Sequence, residues 1–148
     1  MNSTLQELIG EELCPNGIWQ LTEVMKSVLL HEILRLPEGK VSETGTRYPQ
    51  SPAEMRTFLV KFFTRHYFQV QNSLLRFILS EDFADIVSSG RLRILDVGSG
   101  PAVASLAITD LLSCMLDQHV ELTEWPKGKA VKLTYVLNDV SSTCLGTG

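Results

Sequence analysis

Hydrophobic residues recur every three or four positions over much of the N-terminal half of the chain, which is the spacing of one helix face. Residues 18–36 carry this pattern between Pro15 and Pro37, so they predict a first helix. Residues 40–50 are polar and have no period, which predicts a loop. Residues 51–79 resume the helical spacing and predict a second, longer helix.

The second helix has strong start signals. The Ser51 hydroxyl can cap exposed amides, Pro52 suits the first helical position, and Glu54 can close a capping box. The apolar positions near one broad face, and therefore the predicted core, are Met55, Phe58, Leu59, Phe62, His66, Val70, Leu74, Phe77 and Ile78.

A short predicted helix ends at Gly90, and after it the sequence pattern changes from helices alone to alternating strands and helices. Residues 91–97 form a brief aliphatic strand, residues 101–115 return to helix, and residues 131–137 are rich in β-forming residues. Residues 119–130 are ambiguous, with a hairpin arm as one interpretation. We therefore expect an α/β chain in which an N-terminal helical segment, 1–90, leads into a strand–helix–strand unit, 91–148.

Composition limits the function classes. The chain has 148 residues, of which 44% are hydrophobic, and a net charge of −4, which fits one globular domain. No apolar run approaches the roughly 20 residues that span a bilayer, and the N-terminus has no secretory pattern. We therefore expect a cytoplasmic protein with no membrane partner. The acidic balance disfavours a general phosphate-backbone binder but leaves a local basic patch open.

The cysteines and histidines do not form a recognisable metal or disulfide pattern. Cys14, Cys114 and Cys144 are far apart, which favours reduced thiols. His31 and Glu32 resemble the start of a zinc-protease motif, but Arg35 stands where the second histidine belongs. We expect no metal site.

The chemistry is expected where the first strand runs into Gly98-Ser99-Gly100 and a helix follows. Such a turn presents free backbone amides to a ligand, and glycines let the backbone approach it closely. Asp96 ends the first strand and Asp139 follows the second, where ligands bind in open α/β sheets. A purely structural turn and a nicotinamide site are alternatives, although Val103 replaces the last glycine of the dinucleotide motif.

The run Ile94-Leu95-Asp96-Val97-Gly98-Ser99-Gly100-Pro101-Ala102 resembles the first motif of class I S-adenosylmethionine-dependent methyltransferases. Ala102 stands in place of the motif's third glycine. The resemblance implies a Rossmann-like methyltransferase sheet that binds S-adenosylmethionine. It implies that the cofactor is bound by Asp96, Gly98, Ser99, Gly100 and Ala102, with Asp139 on the ribose hydroxyls.

The same resemblance implies methyl transfer to an acceptor that the sequence does not identify: a small molecule, RNA or protein. It makes segment 1–90 a lid or substrate-recognition element, and we expect Phe63 and Tyr67 to influence the choice of acceptor. No catalytic residue is identified. The family's sheet has seven strands and this chain supplies two, so we expect a piece of a longer enzyme, or a sheet completed by a homo-oligomer or a partner chain.

Two alternatives remain open. The first is a non-catalytic partner subunit or assembly factor that retains the cofactor loop as a scaffold. The second is a small RNA-binding module, because basic residues alternate with aromatic ones in the second helix: Lys61, Arg65, His66 and Arg76 with Phe62, Phe63, Tyr67 and Phe68.

Overall fold

The computed structural model describes residue 11 and residues 13–38, 49–117 and 131–145. In these ranges the chain is a mixed α/β structure with a parallel two-stranded sheet. Its helices are α1 (Glu23–Val28), α2 (Pro52–Ile78), α3 (Glu81–Ser88), α4 (Val103–Asp117) and α5 (Ser142–Leu145), and its strands are β1 (Arg91–Val97) and β2 (Lys132–Asn138). The predicted hairpin arm, residues 119–130, lies outside the described residues.

The 27-residue helix α2 begins and ends where the sequence predicts. The Ser51 hydroxyl accepts the Glu54 amide at 3.3 Å. Glu54 reaches back to accept the Gln50 amide at 2.6 Å, one residue before the cap. The first contact satisfies an amide that a helix N-terminus leaves without a partner inside the helix, and the second joins the preceding chain to the first turn.

The buried face of α2 differs from the predicted one. Phe63 and Tyr67 are 2% and 0% exposed, whereas His66 is exposed. Aromatic residues occur all around this helix, so periodicity does not decide which stripe packs against α4. Because Phe63 and Tyr67 lie in the core, they can influence an acceptor only through the packing of α2, and their effect on acceptor choice stays a prediction. The buried residues of α2 are Met55, Leu59, Phe63, Tyr67, Gln71, Leu75 and Ile78.

The first predicted helix is shorter than expected. A 3₁₀ turn at Pro15–Gly17 precedes it, and Asn16 inside that turn has a left-handed backbone (φ 57°). Helix α1 begins only at Glu23, because Thr22 is the residue that caps it, accepting the Met25 amide at 3.2 Å. It continues as a π-helical turn, Leu29–Ile33.

Strands β1 and β2 pair in parallel, with Arg91 beside Lys132 and Val97 beside Asn138. Helix α4 connects to β1 through the glycine turn and packs between the sheet and α2. The opposite face of the sheet is uncovered in the described part of the chain: Leu95 is 65%, Val97 72% and Val136 55% exposed. No described helix is both long enough and apolar enough to span a membrane.

A buried hydrogen-bond network ties three helices together around the Asp110 carboxylate of α4, which is 6% exposed. The Thr22 hydroxyl at the start of α1 donates to Asp110 Oδ1 at 2.7 Å. The Tyr67 hydroxyl of α2 donates to Asp110 Oδ2. Gln71 Nε2 donates to the Tyr67 oxygen at 2.8 Å. A buried carboxylate with such donors is stable only while they are in place.

Replacing Tyr67 with phenylalanine removes the hydroxyl that donates to Asp110 Oδ2 and accepts from Gln71 Nε2, so both atoms lose this hydrogen bond. We expect the free energy of unfolding to fall by about 1–3 kcal/mol in urea titrations, because buried polar groups lose a partner. Thr64→Ala, at an exposed position of the same helix, is the control and should change it by less than about 0.5 kcal/mol. Equal effects of both substitutions would contradict the structural role of the network.

The protein should lose stability at alkaline pH. Burial, and then the hydrogen bond to Asp110, raise the pKa of Tyr67 above its ordinary value. Burial also raises the pKa of Tyr135, against a smaller opposing effect of Thr109. The folded state thus keeps protons that the unfolded state releases above about pH 10. The contribution of these tyrosines to the free energy of unfolding should stay constant below that pH and decrease above it.

Urea titrations between about pH 8 and about pH 11 measure this dependence. The decline should be shallower in Tyr67→Phe, which lacks the group whose pKa is raised most strongly. A decline of unchanged steepness in that variant would show that Tyr67 does not contribute.

Candidate ligand-binding site at the glycine turn

The turn between β1 and α4 has three residues in the left-handed region: Gly98 (φ 69°), Gly100 (φ 53°) and Ala102 (φ 57°). A Cβ at Gly98 or Gly100 would meet nothing within 4 Å, so glycine is needed there for its dihedral angles rather than for space. Ala102 adopts the conformation that a glycine reaches without strain.

The glycine turn is fastened to the end of β2 by its own amides. The Gly98 and Ser99 amides donate to the Asn138 carbonyl at 2.7 and 3.1 Å. The Gly100 amide donates to Asp139 Oδ2 at 2.8 Å. These groups were expected to be open to a ligand, but they are used to join the turn to the neighbouring strand.

Asp139 therefore acts within the protein. Besides the Gly100 amide, it accepts the Ser141 amide on Oδ1 at 2.7 Å, just before α5 begins. Asp139 does not line the cavity described below. Its role on ribose hydroxyls stays a prediction.

Asp96 is held in place from the first turn of α4. Its Oδ2 accepts the Ser105 hydroxyl at 2.9 Å. Within the described residues its Oδ1 has no hydrogen-bond donor, and the side chain lines a cavity. The carboxylate is thus oriented and still able to accept from a ligand.

Ser99 is the one buried hydroxyl of the described residues that lacks a hydrogen-bond partner. The residue is 6% exposed and lines the same cavity. A buried hydroxyl without a hydrogen-bond partner is energetically unfavourable in the unbound protein. A ligand that accepts or donates a hydrogen bond at this position would be the missing partner.

The N-terminus of α4 adds backbone donors. The Val103 and Ala104 amides lie in its first turn, have no acceptor within the described residues, and belong to residues that line the cavity. The aligned peptide dipoles of α4 favour negative charge at this end. The backbone donors left for an anion are therefore these amides, not those of Gly98 and Gly100.

The cavity has a volume of about 770 Å³. Ligand pockets usually measure about 300–1,000 Å³, so it is large enough for a cofactor. Asp96 and the turn from Gly98 to Pro101 form one side, α2 forms the facing wall, and Cys144 of α5 also contributes. The residues of the α2 wall are Phe58, His66, Gln69, Val70, Ser73, Leu74 and Phe77.

The structure brings together Asp96, Gly98, Ser99 and Gly100 at this cavity, while Ala102 and Asp139 lie beside it in the turn and its anchor. Sequence reasoning missed the α2 wall as a binding surface. His66, Val70 and Phe77 of this wall were assigned to the core, because helical spacing alone does not say which side of α2 is buried.

The cavity has a polar side, formed by Asp96, Ser99 and the N-terminus of α4, and a facing wall formed by α2. Asp96 offers a carboxylate that can accept from an ammonium or hydroxyl group, and Ser99 with the α4 N-terminus offers donors for a carboxylate. The α2 wall is largely apolar and suits a flat or aliphatic body. Together they fit a ligand with a zwitterionic head and an apolar portion. No cluster of His, Cys, Asp or Glu suited to a metal ion occurs in the described residues.

No family model, curated protein or solved structure matches this chain. The geometry of the site and the motif at residues 94–102 are therefore the features that indicate a function.

The left-handed backbone of Ala102 gives a direct test of the turn. Ala102→Gly should raise the free energy of unfolding by about 1 kcal/mol, because an L-residue with a side chain is strained in this region. Ala104→Gly, inside the first turn of α4, should lower it by about 1 kcal/mol. Urea titrations compare the two. Destabilisation by both substitutions would contradict the turn geometry.

Proposed function

We propose that this chain binds S-adenosylmethionine in the cavity beside the glycine turn and transfers its methyl group to an acceptor. The observation that carries the proposal is the cavity itself. Asp96, Ser99 with its buried, unpartnered hydroxyl, and the N-terminus of α4 line it at the carboxyl end of β1. Ligands of open α/β sheets bind at that end of the strands.

The residues present suit the cofactor's chemistry. The Asp96 carboxylate would accept hydrogen bonds from the ammonium group of the methionine portion. Ser99 and the amides of Val103 and Ala104 would donate to its carboxylate. The apolar α2 wall would contact the adenosine. The parallel pair β1–β2 with α4 between is also how a Rossmann-like sheet begins, which supports this fold assignment.

When bound, S-adenosylmethionine supplies a methyl group on a positively charged sulfur, which is already an activated donor. The protein's residues then have to hold the cofactor, align an acceptor and exclude water. The α2 wall and the turn serve these purposes. For an acceptor that must lose a proton, His66 is a titratable side chain on the cavity wall.

A specific observation favours a second candidate, the non-catalytic partner subunit. Leu95, Val97 and Val136 lie on one sheet face and are mostly exposed, and a large apolar sheet face is usually covered in α/β proteins. On this interpretation the turn is scaffold and binds no cofactor.

Calorimetric titration of S-adenosylmethionine and S-adenosylhomocysteine into the chain tests the proposal. We expect binding that Asp96→Asn weakens at least about tenfold, because a charge-assisted hydrogen bond is lost while the contact with Ser105 can persist. Asp85→Asn, an exposed change on α3, is the charge-matched control and should leave affinity unaltered. A folded chain that binds neither compound would favour the partner subunit.

Ser99→Ala separates a ligand contact from a structural role. Removing an unpartnered buried hydroxyl should keep or raise the free energy of unfolding of the unbound protein. The same change should weaken S-adenosylhomocysteine binding about three- to tenfold, because a donor to the ligand is lost. Urea titration and calorimetry on one preparation measure both. Unaltered affinity would place Ser99 outside the binding contacts.

A further inference from the structure

A second concavity lies on α2 next to the candidate cofactor cavity. It is an open cleft of about 700 Å³. Its α2 residues follow helical spacing and so share one face of the helix. The lining residues are Trp19, Arg65, Phe68, Gln69, Asn72, Ser73 and Arg76.

The cleft carries positive charge that no acidic side chain of the described residues balances. Arg65 and Arg76 are both exposed and stand three helical turns apart, about 16 Å along α2. The ion pairs of the described residues, Lys26–Glu23, Arg35–Glu32 and Arg56–Glu38, involve neither arginine. In the described part of the chain, none of the residues that line the cleft is acidic. An acidic protein thus has a cationic strip here, which favours an anionic ligand.

Aromatic rings border the same strip. Trp19 and Phe68 lie with ring centroids 6.1 Å apart at an angle of 51°. Gln69 and Asn72, whose side chains are exposed between the arginines, carry amide groups that can both donate and accept. Arginines for phosphates, rings for stacking and amides for base edges are the groups that single-stranded nucleic acids bind.

The cleft adjoins the candidate cofactor cavity, because Gln69 and Ser73 line both. A chain molecule bound along the arginines would therefore pass the mouth of that cavity. An acidic peptide would use the charge alone, whereas a nucleic acid would also use the rings and amides.

We propose that the methyl acceptor is a single-stranded nucleic acid, with phosphates bound by Arg65 and Arg76 and one nucleotide directed into the cavity. The acceptor role rests on the proposed function. In the transfer, a nitrogen or oxygen of that nucleotide bonds to the methyl carbon while the carbon–sulfur bond breaks. The electron pair stays on sulfur, and the proton of the nitrogen or oxygen passes to the His66 imidazole on the cavity wall and from there to water.

Fluorescence anisotropy with a fluorescein-labelled, mixed-sequence RNA oligonucleotide, about a dozen nucleotides long to cover one binding site, tests the cleft. The variant Arg65→Gln/Arg76→Gln should lose at least about tenfold in affinity. Its plot of log affinity against log salt should be shallower by about 1 to 1.5, since each phosphate contact on a single strand contributes about 0.7.

Lys61→Gln/Arg93→Gln is the matched control. It removes the same charge from exposed positions outside the cleft, one on α2 and one on the uncovered sheet face. We expect its affinity to stay within about twofold of the wild type, because neither side chain lines the cleft. Far-UV circular dichroism and urea midpoints establish that both variants are folded.

Equal losses of RNA affinity in the two variants, or no RNA binding by the wild type at low salt, would overturn the proposal that the cleft binds RNA. Displacement of the RNA by polyglutamate as effectively as by unlabelled RNA would overturn nucleic acid as the ligand. S-adenosylmethionine binding without RNA binding defeats the cleft proposal alone. RNA binding at the cleft by a chain that does not bind S-adenosylmethionine defeats methyl transfer and the acceptor role together.

Discussion

The buried carboxylate of Asp110 is the interaction on which the arrangement of the helices depends. It accepts from the capping residue of α1, Thr22, and from Tyr67 in the middle of α2. With Tyr67 bonded to Asp110 of α4, His66 and Phe77 on other sides of α2 face the cavity. The network on one side of the helix thus helps to hold the wall of the candidate site on another.

The glycine turn shows a second constraint, because its amides have two possible uses. Those of Gly98, Ser99 and Gly100 hold β1 to the end of β2, which fixes the turn in space. Donors for a ligand are left to Ser99 Oγ and to the first turn of α4. The turn amides therefore provide rigidity, and their neighbours provide donors for a ligand. Asp96 can still accept from a ligand, because Ser105 donates to only one of its oxygens.

Local signals predicted much of the fold. Ser51, Pro52 and Glu54 determine the start of α2 through contacts within a few residues, and β1 follows directly from its aliphatic run. The start of α1 was predicted too early, because Thr22, not the apolar spacing, provides the cap. Asp96, Ser99 and the glycines were predicted from the motif. The wall formed by α2 and the role of Asp110 could not be, because both depend on which face of a long helix is buried.

Binding in the cavity beside the glycine turn can be followed residue by residue in an NMR titration of the ¹⁵N-labelled chain with S-adenosylhomocysteine. We expect shifts that saturate and that concentrate on the amides of Ser99, Val103 and Ala104 and on the α2 wall around Val70. Absence of shifts in a folded chain, or shifts confined to Leu95, Val97 and Val136 on the uncovered sheet face, would contradict it.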